Sequence, residues 1–117
     1  LTAGADTITG TAGNDTINAL TIKADGTAAT TLSAFDVIDG GAGTDTLNVT
    51  FDGALPAFPA ATISNVEVFK IRDAGTTAGL TVDFATIAGE TEVHSDRSTN
   101  AGGATTFNNL ATGTTVG

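Results

Sequence analysis

The chain has 117 residues, enough for one domain, with no Cys, Met, Trp or Tyr and only 6 Phe, which excludes a disulfide scaffold and a thick globular core. Its net charge of −9, from 13 acids against 4 bases, excludes the basic surfaces that nucleic acid and anionic membranes require. The 24 Thr and 15 Gly favour short strands between tight turns, in thin repeating layers that each bury a few small residues.

The chain opens on two blocks of nine. Thr2–Gly10 and Thr11–Ala19 carry Gly, Asp, Thr and Ile at the same offsets (Gly4, Asp6, Thr7, Ile8; Gly13, Asp15, Thr16, Ile17). A second pair follows. Ala34–Gly40 is a degenerate copy, and Gly40–Asn48 is a complete Gly-Gly-x-Gly-x-Asp-x-apolar nonapeptide with Leu47 at the apolar position. The glycines permit tight turns with bare carbonyls, and each Asp places an anionic oxygen in its turn. The residues after each Asp form a short strand whose middle side chain points inward, so Ile8, Ile17, Ile38 and Leu47 are expected to share one thin core.

The spacing predicts how the coils stack. Asp6 and Asp36 are separated by the same stretch as Asp15 and Asp45, longer than two nonapeptides. An excursion over residues 20–31 between two stacked coils accounts for the excess, and would set Asp6 beside Asp36 on one edge and Asp15 beside Asp45 on the other. Leu20–Gly26 reads as a strand running into an Asp-Gly turn, hence an inserted hairpin. Beyond Asn48 the nonapeptides stop and strands continue: Thr46–Phe51, then a loop over Asp52–Ala61 with Pro56 and Pro59, then Thr62–Arg72 as one long strand whose apolar residues fall on both faces. Leu80–Phe84, Thr91–His94, Thr105–Phe107 and Thr114–Val116 complete the series.

The expected fold is therefore all-β, a parallel β-solenoid or β-roll with an inserted hairpin that continues into further rungs, with a β-roll joined to a β-sandwich as the alternative. It forms a single β domain over 1–117, divided into repeat coils at 1–50 and solenoid-like strands at 51–117.

Calcium takes six to eight oxygen ligands, a load that two stacked turns can share between carboxylates and carbonyls. The candidate ligands are Asp6, Asp15, Asp36 and Asp45, with Asp39 as an additional acid and Gly40, Gly41 and Gly43 supplying carbonyls. Asp25, Asp52 and Asp73 sit in turns and read as turn formers. His94 alternates with Glu92 and Asp96 on one strand face, where a solvated imidazole is the expected state; no second His or Cys exists to complete a zinc site. Lys70 and Arg72 read as a solvated strand face, with an acidic neighbouring subunit as the alternative contact. No nucleophile is paired with a base, so no catalysis is expected.

Thr2–Asn18 and Asp36–Val49 resemble the RTX-like repeats of bacterial S-layer proteins and large secreted adhesins, and Ile63-Ser64-Asn65-Val66-Glu67 resembles a segment that follows such turns in that group. The resemblance implies calcium as the cofactor, calcium-triggered folding outside the cell, and a bacterial protein that is secreted or held at the surface. Two roles follow: a structural, self-assembling unit of an S-layer, filament or adhesin, or a folding and secretion module of an exported protease or lipase. The expected partners are further copies, neighbouring repeats of the same chain, or a cell-surface polysaccharide. No nucleic acid partner and no transmembrane segment are expected.

Overall fold

The computed structural model describes residues 1–2, 4–20, 31–51, 59–73, 81–95 and 105–117. The inserted hairpin predicted around residues 20–31, and Asp25 and Asp52, fall on segments outside the described residues, apart from Leu20 and Thr31 at the margins. The described residues form eleven strands and no helix: β1 (Thr7–Thr9), β2 (Thr16–Leu20), β3 (Val37–Asp39), β4 (Thr46–Phe51), β5 (Thr62–Ser64), β6 (Val68–Asp73), β7 (Thr81–Asp83), β8 (Ile87–Ala88), β9 (Glu92–Ser95), β10 (Thr106–Asn108) and β11 (Thr115–Val116). No helix among them is long and apolar enough to cross a membrane, which leaves crossing by strands untouched.

Every described strand pair is parallel. The chain winds so that β1, β3, β5 and β8 stack into one sheet, β2, β4, β6, β9 and β11 into a second, and β7 and β10 into a third. This is the predicted parallel β-roll, and the sandwich alternative is not what the described strands form. The predicted phase is also present: Thr7 lies opposite Val37 and Thr16 opposite Thr46. Parallel strands need a long crossover, and here each crossover is the rest of a coil.

The core is the column of inward residues that this register stacks. Ile8, Ile38, Ile63 and Ile87 line the first sheet, while Ile17, Leu47, Phe69 and Val93 line the second. Ile8 is partly buried and Ile38, Leu47, Ile63, Phe69 and Val93 are wholly so. Each such side chain contributes about 1.5–3 kcal/mol by leaving water. The later coils are wider. Phe69 and Phe84 meet edge to face at 5.2 Å, and Phe84 and Phe107 do so at 6.3 Å, which fills the space that the third sheet opens.

One predicted element is corrected. Thr62–Arg72 is not a single strand but two, β5 and β6, on different sheets. Asn65 turns the chain between them in the left-handed region (φ 51), so Val66 is buried at the corner and Phe69 and Ile71 face the core of the next sheet. Val66, Phe69 and Ile71 point inward from a bent chain, while Val68 stays half-buried on the outer face of the second sheet. The two-residue strand β8 was too short to leave an alternating signal.

Candidate calcium-binding corners

Each of the first two coils turns at two corners that carry carboxylates. Asp6 and Asp36 stand just before β1 and β3, while Asp15, Asp45 and Glu67 stand just before β2, β4 and β6. The structure brings together the two pairs that the spacing predicted. Asp36 Oδ1 accepts the backbone N–H of Asp6 at 2.8 Å, and Asp45 Oδ1 accepts that of Asp15 at 2.7 Å. The second series continues, since Glu67 Oε2 accepts the N–H of Asp45 at 2.8 Å. Each carboxylate thus ties its own coil to a neighbour.

Asp6 and Asp15 close their own turns. Thr2 donates its N–H and hydroxyl to Asp6, and Thr11 does the same for Asp15. The Thr2 N–H, followed by its hydroxyl, holds the Asp6 carboxyl below its ordinary value by stabilising the ionised form. Asp36, almost fully buried, receives the N–H of Ser33 on Oδ2 at 2.6 Å in addition to that of Asp6 on Oδ1.

Asp45 departs from this scheme. At the position of Thr11 the next coil has Gly41, whose backbone (φ 94) sends its N–H to Asp39 Oδ1 at 3.1 Å. Asp45 Oδ2 therefore has no donor, although the residue is fully buried. A bare carboxylate oxygen in such a place is costly unless a cation meets it.

Close backbone approach surrounds this oxygen. A Cβ on Gly40 would collide with the carbonyl oxygen of Asn65 and stand 2.6 Å from Asp45 Oδ2. A Cβ on Gly10 would likewise collide with the Gly40 carbonyl oxygen and stand 2.9 Å from Asp15 Oδ2. On Gly43 (φ 117) it would meet the Gly13 carbonyl oxygen at 2.8 Å and Asn14 Oδ1 at 2.9 Å. The glycines let carbonyl and carboxylate oxygens of successive coils gather at one corner. Such a set of hard oxygens with one unsatisfied anionic member fits calcium. Among the described residues no three acidic or histidine side chains come together, so a cation here takes its remaining ligands from carbonyls and water.

Asp39 is placed differently. Its Oδ1 accepts the Gly41 N–H and the Asn65 Nδ2 at 2.8 Å, clasping one turn to the left-handed Asn of the next coil. The arrangement repeats at Asp83, whose Oδ1 accepts the Ala85 N–H at 2.9 Å and Asn109 Nδ2 at 2.7 Å, with Asn109 also left-handed (φ 56). The Asn109 amide, then the Ala85 N–H, keeps the Asp83 carboxyl below its ordinary value.

On the outer face of the second sheet, His94 Nε2 lies 3.1 Å from Glu92 Oε2; Asp96 is outside the described residues. Lys70 is exposed between Asn48 and His94, in a shallow groove that Thr46, Val68 and Glu92 also line. Glu67 was missed as a corner residue. Its signal was its place, directly before a strand, where Asp15 and Asp45 also stand.

A family model of the RTX calcium-binding nonapeptide repeat matches residues 2–20 and 31–50, in four copies. No curated protein and no solved structure matches the chain. The matched residues are those whose corners gather the Asp and Gly oxygens, and RTX nonapeptide repeats bind calcium. Residues 2–20 and 31–50 are RTX calcium-binding nonapeptide repeats, and their described strands belong to a parallel β-roll.

Proposed function

We propose that the chain is a calcium-dependent structural and self-assembly module of a bacterial surface protein, such as an S-layer, a surface filament or an adhesin. The coarser part of this reading follows from the repeats, which belong to calcium-dependent structural modules of secreted bacterial proteins. The observation that carries it is Asp45 Oδ2, a buried carboxylate oxygen without a donor, beside Gly40 where the Asn65 carbonyl of the next coil also comes close. Calcium there completes the corner and joins β4 to the turn below it. The continuation of the second sheet through β6, β9 and β11 favours a structural unit over a folding module of an exported hydrolase. The reading gives the chain no catalysis of its own and leaves its outer faces for further copies or a cell-surface polysaccharide.

Thermal unfolding in calcium and in chelator, at matched ionic strength, tests it. Extracellular calcium modules bind at roughly 0.1–1 mM. Binding to the folded state alone stabilises by about 2.7 kcal/mol at a hundredfold excess over Kd. An equal melting temperature in both conditions refutes the calcium part. Sedimentation velocity across millimolar calcium tests assembly, and a strictly monomeric chain at high concentration refutes that part.

A further inference from the structure

Among the described residues two carboxylate oxygens are buried without a hydrogen-bond partner: Asp45 Oδ2 and Glu90 Oε2. Asp45 lies within the nonapeptides. Glu90 lies well beyond the matched residues, 2–20 and 31–50, so the repeat pattern does not account for it. It is 5% exposed and stands at the corner between β8 and β9. Gly89 (φ 103) packs over Asn65 there, so Glu90 occupies the inward place that the preceding coil gives to the buried Val66.

The two residues share one arrangement. Each gives one oxygen to an N–H of a neighbouring coil: Asp45 Oδ1 to Asp15, and Glu90 Oε1 to Ala111 at 2.8 Å. Each leaves the other oxygen bare. Thr114 Oγ1 adds a bond to the Glu90 carbonyl at 3.4 Å, which fixes the following coil against this corner. The corner is open on one side, since nothing lies within 4 Å of where a Cβ on Gly113 would stand.

Chemistry selects what meets the bare oxygen. Among the described residues no Lys or Arg forms an ion pair with Glu90, and the salt bridge is His94 with Glu92, on the outer face. Soft metals want thiolate or imidazole, and the chain has no Cys and a single His. A hard divalent cation, keeping part of its water shell, satisfies the oxygen without such donors.

We propose that the corner of Gly89–Thr91 and Ala111–Thr114 is a further divalent-cation site, with Glu90 Oε2 as its anionic ligand. It extends the calcium-binding edge past the nonapeptides and rests on the calcium reading of Asp45. Calcium titration of the 15N-labelled chain, followed by NMR, should shift the amides of Ala111 and Thr114 as well as those of residues 40–45. Equilibrium dialysis should show one ion fewer per chain for Glu90→Gln, whose amide oxygen still accepts the Ala111 N–H. Asp45→Asn should keep the Ala111 response. Shifts confined to residues 40–45 in the unsubstituted chain overturn the Glu90 site and leave the repeat site standing. An unchanged ion count in Glu90→Gln overturns it too, and silence at both corners overturns both readings. The shifts in the unsubstituted chain decide the matter even if Glu90→Gln fails to fold.

Discussion

The backbone N–H of Asp15 donates to Asp45 Oδ1 at 2.7 Å, so a side chain of one nonapeptide holds the main chain of another 30 residues away. The other oxygen of the same carboxylate is bare. Asp45 thus gives one oxygen to the fold and leaves the other for the proposed cation.

Two substitutions at this position separate the duties. Asp45→Asn keeps an acceptor for Asp15 and removes the charge, so its stability in chelator should be close to that of the parent while its stabilisation by calcium shrinks. Asp45→Ala also orphans the Asp15 N–H and should cost about 1–3 kcal/mol even in chelator. Chemical denaturation of both variants with and without calcium measures the difference.

Gly40→Ala should destabilise more than a usual surface change. Its Cβ would collide with the Asn65 carbonyl oxygen, a backbone atom that cannot swing aside. Overpacking of this kind costs about 1–3 kcal/mol, and the change should weaken calcium binding at the same corner. Gly113→Ala meets no neighbour, but its φ of 89 makes it strained as well, so it serves as a control for backbone strain without collision. Melting temperatures of the pair should place Gly40→Ala lower.

Asn65 and Asn109 should respond alike. Each adopts positive φ and donates its Nδ2 to an Asp of the preceding coil. Asn→Ala loses the bond and keeps the strain, whereas Asn→Gly loses the bond and relieves it. The Ala variants should therefore be less stable than the Gly variants, by about 1 kcal/mol. Urea midpoints at both positions check this ordering.

Acid should loosen two separated turns. Asp6 and Asp83 have folded-state values below the ordinary 3.8, because donors hold their ionised forms. The stability they contribute is fully present above about pH 4 and is lost as pH falls through their depressed folded values. Asp83 is exposed and Asp6 half-buried at the surface, so solvent screens both and the effect of each is small. Hydrogen exchange in the acid range should show the Thr2 and Ala85 amides losing protection, and Asp83→Asn should remove the response at Ala85 alone.

The first coils were legible in the sequence because chemistry and period coincide there. Asp6 with Asp36 and Asp15 with Asp45 repeat at one interval, and that interval became the register Thr7 to Val37 and Thr16 to Thr46. The later coils follow the same winding without the letters. Asn65 replaces a glycine pair at the corner, and a run of apolar residues across it reads as one long strand although it bends. Asp39 is an acid beside glycines, and its Oδ1 accepts from Gly41 and Asn65, a clasp that the sequence did not show. Glu67 stood at the end of the Asn-Val-Glu segment without being read as a corner residue, and Glu90 carried no motif. Only the stacking of coils shows that one continues the Asp15–Asp45 series and that the other hides an oxygen from water.

Because every described strand pairs in parallel with the coil before or after it, the chain behaves under tension like a wound cord. A pull on its two ends would not shear the sheets all at once but would unwind coils singly from an end. Bonds between neighbouring coils span 21 to 30 residues, so each release would lengthen the chain by roughly 70–100 Å. A cation clamped at a corner would set how much force each coil withstands, which makes the calcium of the surroundings a control on how far the molecule stretches.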